Sequence, residues 1–307
     1  MRKLVILIVF VLLLLVACVP GRREKGQEVE TFRTGSQGLQ LQFVQNLPPL
    51  KTYDTEDFNA MLEIKNVGAH DVGAAGDRVY ISGFDTNIIT GIPFTGNTIR
   101  IEGKDQFNIQ GGFDTTAFKG IVRRLTTDVY PFNLVATACY AYETQASANV
   151  CIDPDPYSPT VKTKACAPQN VAIGTQAAPV AVNSVEVDAR PQKTVFKIQL
   201  ANVGGGDVFR FGGNYLTKCS PYDPRGLAYD EVDYVQLTDV IVSGVSIKRS
   251  CKPLDQDHIR LTGGKGIVVC EFANIRSNAA YTTPLTIVLR YGYRNQVQQR
   301  VEIIRTA

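Results

Sequence analysis

The chain has no tryptophan and, among 307 residues, only two histidines and two methionines. With His70 and His258 as the only imidazoles, a Ser-His or Cys-His nucleophilic site has few positions available, and neither histidine lies in a Gly-x-Ser-x-Gly setting. No Cys-x-x-Cys pair occurs, so a structural zinc site lacks its usual ligand spacing. The sequence indicates no catalytic residue, and we expect a protein that is not an enzyme.

The chain also lacks a strong excess of either charge. Its formal net charge of +3 includes Arg2 and Lys3, so loss of the first residues leaves 3 − 2 = +1. Nucleic-acid binding depends on clustered Lys and Arg that neutralise many phosphates. A nearly neutral chain therefore argues against a nucleic-acid partner.

Long apolar runs are absent beyond the first residues. A basic start and the apolar residues Leu4 to Ala17 have the form of a secretory leader, short for a helix that spans a membrane. The segment ending at Cys18 resembles a lipobox, which implies cleavage before Cys18 and lipid attachment there. The alternative is an uncleaved anchor over residues 4–19. Either reading exports the chain and anchors it to a membrane through residues 1–18, with a flexible stalk over residues 19–37.

Two parts of the chain match each other. Asn66-Val67-Gly68 and Asn202-Val203-Gly204 occur in similar surroundings, 202 − 66 = 136 positions apart. A longer match aligns residues 134–152 with residues 285–303, 285 − 134 = 151 positions apart. Apolar residues alternate with polar ones in the matched segments, a period typical of half-buried strands. We interpret the chain as two copies of one β-rich module.

Short Val/Ile/Thr-rich runs separated by Gly and Pro, with no amphipathic helix beyond the leader, predict an all-β protein. We expect two tandem β-sandwich domains after an N-terminal hydrophobic leader helix. The predicted domains cover residues 38–153 and 180–307. Three prolines within residues 153–159 cannot continue a central strand, so residues 154–179 are predicted to be a Pro-rich linker.

Each copy is predicted to end in a hairpin, with turns at residues 144–146 and 295–297. That register places Cys139 opposite Cys151, at the separation that a disulfide needs. In the second copy it places Arg290 opposite Glu302, so opposite charges would stand where the first copy has a covalent link.

The six cysteines beyond Cys18 are an even number, which in an exported chain favours disulfides over free thiols. Several pairings are open. We predict Cys139–Cys151 first and, next, Cys251–Cys270, because these two flank a Gly-rich turn. The remaining pair is then Cys166–Cys219, which would tie the linker to the second domain.

The Asn-Val-Gly element at the end of an alternating strand resembles the immunoglobulin-like repeats of archaeal and bacterial surface proteins, notably the adhesion-related domains called CARDB. Four further segments carry a second resemblance: Ile81–Asp85, Glu102–Lys104, Ala136–Thr144 and Cys151–Pro154. Through them about 270 residues look like a group of exported proteins of small-genome archaea. Together these resemblances imply that the two tandem β-sandwich domains are immunoglobulin-like and that the protein lies in the cell envelope, and they transfer no ligand-binding residue.

A calcium site at the domain junction is the one metal hypothesis. Asp153 and Asp155 could combine with turn carboxylates such as Asp54, Glu56 or Asp57, because Ca²⁺ prefers hard oxygen ligands. The competing interpretation is a rigid linker with solvated acidic side chains.

Three functions remain open at this point. The first is a non-catalytic, membrane-tethered surface or envelope protein whose sandwiches act as a spacer or adhesion module and bind an unknown protein or glycan through loops. The second is an accessory subunit of a secretion, pilus or surface-layer complex that pairs an exposed strand edge with another chain. The third is an envelope enzyme.

Overall fold

Two strands of 24 residues each, Val129–Ile152 and Tyr281–Ile304, pair antiparallel along their whole length. The computed structural model describes residues 32–73, 76–158, 164–273 and 279–307, and this part of the chain is almost all β. The predictions for the leader, the lipid-bearing Cys18 and most of the stalk lie outside the described residues. Within them, no helix is long and apolar enough to cross a membrane.

The strands and helices are numbered in chain order. They are β1 (Leu39–Phe43), β2 (Lys51–Tyr53), β3 (Asp57–Asn66), β4 (Arg78–Ser82), β5 (Ile89–Thr90), β6 (Asn97–Thr98), β7 (Phe113–Val122), β8 (Val129–Ile152), β9 (Val171–Ala172), β10 (Val180–Ala189), β11 (Lys193–Asn202), β12 (Asp207–Phe209), α1 (Tyr215–Lys218), β13 (Tyr234–Val242), β14 (Val245–Ser246), a 3₁₀ turn (Lys248–Ser250), β15 (His258–Arg260), β16 (Lys265–Ala273) and β17 (Tyr281–Ile304).

These strands form one central sheet and two smaller ones. The central sheet has the order β14-β13-β17-β8-β4-β6, and β12, β15 and β2 add to its edges. The smaller sheets are β1-β3-β7-β5, from the first half of the chain, and β16-β11-β10-β9, from the second half. Both contribute to a single hydrophobic core with the central sheet, so the all-β sandwich prediction is confirmed.

The predicted division into two domains joined by a Pro-rich linker is wrong. Residues 32–307 form one compact unit, because β8 comes from the first half, β17 from the second, and each extends over the other half's strands. Much of the described linker is also anchored, since β9 pairs with β10 and residues 176–178 are buried. Residues 32–37, assigned to the stalk, belong to the same unit.

The predicted terminal hairpins are also wrong. Residues 144–146 and 295–297 lie inside β8 and β17 rather than in turns. No residue in these segments has the positive φ that tight hairpin turns require. Their polar side chains are used differently: Thr144 and Asn295 accept or donate hydrogen bonds in the core. Arg290 accordingly faces Glu143, with an Nε to Oε2 distance of 2.7 Å, and not Glu302.

The disulfides correct two of the three predicted pairings. The structure joins Cys139 to Cys219, Cys151 to Cys166, and Cys251 to Cys270. Cys139 and Cys151 cannot pair because they lie 12 residues apart on one continuous strand, about 40 Å at the usual rise per residue. The Cys251–Cys270 pairing agrees with the expectation from the turn that lies between them.

Four buried tyrosines mark the centre of the long strand pair. Tyr140 faces Tyr293 and Tyr142 faces Tyr291, while Ala141 faces Gly292 between them. Since 292 − 141 = 151 is the spacing of the sequence match, matched positions meet at this point. Tyr140, Tyr142, Tyr291 and Tyr293 are almost completely buried, with ring centroids of neighbours 5.8 to 6.3 Å apart.

The tyrosine hydroxyls hold the two Asn-Val-Gly turns in place. Tyr293 donates to Asn202 Oδ1 at 2.9 Å and accepts from the N–H of Gly206. Tyr142 lies 3.4 Å from Asn66 Oδ1 and accepts from the N–H of His70, the matched position. Each Asn also bonds the main chain of its own turn through its amide group. The repeated Asn-Val-Gly segment is therefore a turn that the Asn side chain stabilises and that is hydrogen-bonded to a buried tyrosine.

The other two hydroxyls connect the halves. Tyr140 accepts from the N–H of Leu39 and donates to Asn295, whose amide also donates to the Leu39 carbonyl oxygen at 2.8 Å. Tyr291 accepts from the N–H of Val180 and bonds Thr144, whose hydroxyl donates to the Val180 carbonyl oxygen at 2.7 Å. In both cases a residue from one half bonds the first strand of the other half. Buried donors and acceptors are thereby satisfied across the junction.

Gly292 is the position where the strand pair tolerates no side chain. A Cβ atom there would come within 2.0 Å of the Phe209 ring, which is fully buried against β17. We predict that Gly292→Ala lowers the free energy of unfolding by about 1 to 3 kcal/mol, the usual cost of overpacking. Gly174→Ala is the matched control, because a Cβ at Gly174 meets no atom within 4 Å. Urea unfolding measures both, and an unchanged Gly292→Ala midpoint would contradict the packing described.

The tyrosine network predicts sensitivity to alkali. Burial raises the pKa of Tyr140 and Tyr291 well above the ordinary value, and that of Tyr293 to about 12. Tyrosines of the unfolded chain ionise near pH 10, so this stabilisation is complete below about pH 10 and is lost as the pH rises further. We expect the free energy of unfolding to fall above pH 10.

Tyr140→Phe separates the hydrogen bonds from the titration. At pH 8 it should cost about 1 to 3 kcal/mol, because the Leu39 N–H and the Asn295 side chain lose their partner. Above pH 10 the difference in unfolding free energy between the variant and the wild type should shrink. The wild type loses stability there because folding opposes the ionisation of Tyr140, and phenylalanine at that position cannot ionise. Tyr157→Phe, at an 80% exposed position, is the control. A cost for Tyr140→Phe that is the same at both pH values would contradict the prediction.

Candidate functional site

A groove of about 580 Å³ lies where the edge strand β1 meets β17. One wall is β1 with its neighbour β3, and the other is formed by the middle of β17 and the glycine run of the second Asn-Val-Gly turn. The groove is a product of both halves of the chain. The residues that line it are Gln37, Leu39, Gln40, Leu41, Gln42, Glu63, Lys65, Phe113, Gly204, Gly205, Gly206, Asn295, Gln296 and Val297.

The main chain of β1 is open on the groove side. Gly38 and Val44 bond the β3 side of the ladder, and Leu39 uses its N–H for Tyr140 on the opposite side. Because bonded positions alternate in an antiparallel pair, Leu41 and Phe43 also direct their N–H and C=O groups away from β3. No described residue bonds these groups. The strand therefore presents unpaired donors and acceptors at an edge.

The glycine run gives the groove a wall without side chains. Two of the three glycines are hydrogen-bonded: the Gly204 N–H donates to the Pro179 carbonyl oxygen, and the Gly206 N–H donates to the Tyr293 hydroxyl. Gly205 lies between them with φ +78° and open space around its Cβ position. Among the described residues nothing bonds its N–H. A third main-chain donor thus faces solvent near the end of β1.

The side chains around the groove are mostly neutral and polar. Gln40 and Gln42 are exposed on β1, and Gln296 is exposed on β17. Glu63 and Lys65 face Gln42 and Gln40 on β3, so the two charges are of opposite sign. Such a surface offers hydrogen bonds in both directions with little net charge. It suits a neutral polar ligand better than an anion or a cation.

A second hollow, of about 460 Å³, lies beside the Cys139–Cys219 disulfide. Phe94 packs on Tyr222 there with ring centroids 4.6 Å apart, and Phe94 is half exposed. Tyr222 donates its hydroxyl hydrogen to the Ile81 carbonyl oxygen, so the aromatic pair is anchored to β4. This hollow is shallow and mainly apolar.

The residues proposed for calcium do not come together. Asp153 is buried, binds the Lys164 ammonium group at 2.6 Å and accepts the N–H of Asp155. The Lys164 ammonium group already neutralises the Asp153 carboxylate, which was expected to bind Ca²⁺. Among residues 32–73, 76–158, 164–273 and 279–307, no group of three or more acidic, Cys or His side chains is arranged for a metal. The calcium prediction is therefore wrong for the described part of the chain.

Asp54, a proposed ligand of the calcium site, binds Thr306 near the end of the chain instead. Its Oδ1 accepts from the Thr306 hydroxyl at 2.6 Å and from the Thr306 N–H, and its Oδ2 accepts from the Leu125 N–H. These bonds, led by the Thr306 hydroxyl, lower the pKa of Asp54 to about 2. Glu56 accepts instead from Thr52 and the Tyr53 N–H.

The Asp54 contacts predict an acid-sensitive stabilisation. Because the folded pKa lies below the unfolded value, the contribution is present above about pH 4 and is lost as the pH falls towards 2. Asp54→Asn should reduce the free energy of unfolding at pH 7, and the difference from the wild type should disappear near pH 2. Urea unfolding from pH 7 to pH 2 measures this, with Asp230→Asn at an exposed position as the control. A difference that does not vary with pH would contradict it.

The two histidines take structural positions. The His70 ring packs edge-on against Tyr142 at 5.4 Å, and burial lowers its pKa. His258 is buried in β15, where Nδ1 lies 2.7 Å from the Gln256 carbonyl oxygen and burial again lowers the pKa. Arg210 stacks on Tyr234 nearby at 3.9 Å. Within the part of the chain that the structure describes, neither ring is hydrogen-bonded to a serine, threonine or cysteine side chain.

Leu41, Gly205 and Val297 are the groove residues that sequence reasoning missed. Their signals were weak, because an open edge depends on which strands lie next to each other and not on composition. The glycine triplet after Asn202 was the best available clue, since the first Asn-Val-Gly turn has Gly-Ala-His at the same place.

Comparison with known proteins adds no assignment: no protein-family description matches the chain, and no curated protein matches it.

Proposed function

We propose that the protein is a non-catalytic, membrane-tethered binding module of the cell surface or envelope, whose ligand occupies the groove between β1 and β17. The observation that carries the proposal is the groove itself, with unpaired main-chain groups of Leu41 and Gly205 and a neutral polar lining. Ligand-binding clefts commonly contain a few fixed polar groups, main-chain N–H and C=O groups among them, that orient the ligand by hydrogen bonds.

The disulfides support the location. Three of them in one unit are typical of chains that fold in an oxidising compartment. The basic and apolar start of the sequence supports export, and the lipobox-like segment at Cys18 supports a lipid tether, with an uncleaved anchor as the alternative. The resemblance to CARDB-like surface domains is consistent with an envelope protein.

We also infer that the two halves arose from one sandwich module that was duplicated. The matched tyrosine and Asn-Val-Gly bonds support this origin, because the same side-chain types make the same contacts in both halves. The groove then results from the way two copies were joined, since its walls come from both.

The second candidate is an accessory subunit of a secretion, pilus or surface-layer assembly. One observation favours it: β1 is an edge strand with open hydrogen-bonding groups, and edges of this kind pair with strands of other chains. The two candidates share the groove and differ in whether its ligand is a fixed component of a complex.

Crosslinking on intact cells tests the proposed function. Wild-type protein should be labelled by a membrane-impermeant reagent and should crosslink to an envelope component. Val297→Arg introduces a long charged side chain into the groove wall and should reduce that crosslink about tenfold, a cost of roughly 1.4 kcal/mol in binding. Gln298→Arg, on the neighbouring exposed position, should leave it unchanged.

Labelling only after cell lysis would contradict the envelope location. A crosslink that survives Val297→Arg would contradict binding in the groove. Recovery of one fixed complex from washed membranes would favour the subunit, while capture of soluble glycans or foreign cells would favour the adhesion module.

A further inference from the structure

In the second half of the chain, the groove that matches this one is filled by the chain itself. β1 and β10 are matched strands, because Leu39 pairs with Asn66 and Val180 pairs with Asn202. Along the outer edge of β10 runs the extended segment Val171–Gln176. It pairs antiparallel with β10 through β9, and the Ile173 N–H donates to the Asn183 carbonyl oxygen at 2.9 Å.

The end of this segment is held by three more hydrogen bonds. Gln176 clamps the main chain of Val182: its Oε1 accepts the Val182 N–H at 2.9 Å, and its Nε2 donates to the Val182 carbonyl oxygen at 3.2 Å. The Ala177 carbonyl oxygen accepts the N–H of Ala69 at 2.8 Å. An intramolecular peptide therefore satisfies the edge of β10 and the neighbouring turn together.

The matching groups of the open groove are the unpaired ones. Leu41 pairs with Ile64 as Val182 pairs with Leu200, and 200 − 64 = 136 is the spacing of the sequence match, so Leu41 corresponds to Val182. At the same spacing, Gly205 corresponds to Ala69. The N–H and C=O groups of Leu41 and the N–H of Gly205 are thus the counterparts of the three groups that the second half satisfies.

Burial differs in the same way. Val182 has no exposed surface and Ala146 of β8 has 1%, because the Val171–Gln176 segment covers them. Their counterparts in the groove, Leu41 and Val297, are only half buried. Both still pack against the hydrophobic core from its margin. The open groove therefore has the walls that hold a strand in its filled counterpart, but no strand from the described residues.

The chain does not supply this strand from the described residues that precede β1. These residues bond groups beside the filled groove: the Gly35 N–H donates to Thr175 Oγ1 at 3.1 Å, and Arg33 donates to Gln145 of β8. The Thr34 carbonyl oxygen accepts from Lys104. Residues 33–35 consequently lie beside the filled groove and not in the open one.

We propose that the open groove binds an extended segment of a partner polypeptide, which adds as a strand antiparallel to β1. This inference rests on the proposed function and names the ligand class of the same site. The segment has apolar side chains at alternate positions, which pack between Leu41 and Val297, as Val171 and Ile173 pack against the core beside β10. The main chain of the segment bonds Leu41 and Phe43, and a turn or polar side chain that follows bonds the Gly205 N–H.

A peptide fits this groove better than a glycan does. The unpaired groups are main-chain N–H and C=O groups at the spacing of a β-ladder, and an extended peptide presents the complementary series. The groove wall lacks an exposed tryptophan or tyrosine for stacking on a sugar ring, and Phe113 is the one aromatic residue that lines it. The filled groove shows that the same architecture accepts a strand.

The probe is a capped synthetic peptide with the sequence of Val171–Gln176, Val-Ala-Ile-Gly-Thr-Gln. Titrated into the full protein and followed by ¹H–¹⁵N NMR, it should shift the amide signals of Leu41, Phe43 and Gly205 and slow their hydrogen exchange. The signals of Val182 and Ala69, whose partners are already in place, should stay unchanged.

N-methylated peptides test strand addition without altering the protein. In the filled groove the Ile173 N–H bonds Asn183, the extra residue of a β-bulge in β10, and by alternation the Val171 N–H also faces β10, while that of Ala172 faces away. β1 has no such bulge, so in the open groove the two N–H groups at these positions face Leu41 and Phe43. Methylation at the Val171 and Ile173 positions should weaken binding about tenfold or more, the effect of losing hydrogen bonds worth roughly 1.4 kcal/mol in sum. Methylation at the Ala172 position should change affinity less than about twofold on the same scale.

A protein variant gives the reciprocal control. Among the main-chain groups of β1, Leu41→Pro removes one N–H, which β3 does not use, at a position where edge strands accept proline. It should abolish the Gly205 shifts, while Leu41→Val, which also shortens the side chain, should retain them. No amide shift at millimolar peptide, or equal binding by both N-methylated peptides, would overturn the inference. A neutral oligosaccharide that shifts the Leu41 signals where the peptide fails would overturn it too, and would leave the proposed binding function intact.

Discussion

The antiparallel pairing of β8 with β17 is the constraint on which the rest of the structure depends. Each strand is long enough to serve both halves, so the central sheet is shared and neither half can close its core alone. At the middle of the pair, four buried tyrosines must each find a hydrogen-bond partner, because an unsatisfied buried hydroxyl is costly. Two of them find it in the Asn-Val-Gly turns, and two find it in the first strand of each half. The sequence features that occur in both halves are therefore those that form hydrogen bonds at the junction.

The two halves solve the same edge problem differently. The second half covers β10 with its own segment, held near β8 by the Cys151–Cys166 disulfide. The first half leaves β1 open, and the matched position of Cys151 is Glu302, paired with Lys51. An exposed edge is normally a hazard for aggregation, and natural proteins protect it. Here the glutamines on β1 and the glycine wall keep the open edge polar. A groove retained beside a filled counterpart is consistent with a site for a ligand.

Sequence reasoning identified the fold class and the strands that carry the strongest alternation. The period of two around Tyr291 and Tyr293 correctly predicted buried strand residues. It could not show that the polar residues near Thr144 and Asn295 continue the strand, since their partners are tyrosines and main-chain groups far away in sequence. The disulfide error has the same cause: a hairpin would bring Cys139 to Cys151, and a continuous strand separates them. The groove escaped prediction because it exists only between halves.

Native-state hydrogen exchange of the amides in β8 and β17 tests the shared strand pair most directly. Because each strand is paired with the other over its whole length, residues of both halves should exchange with one common free energy of opening, equal to that of global unfolding. The amides near Ala141 and Gly292 should be among the slowest. Two distinct opening free energies, one for the strands of each half, would contradict the account and show that the halves unfold as independent domains.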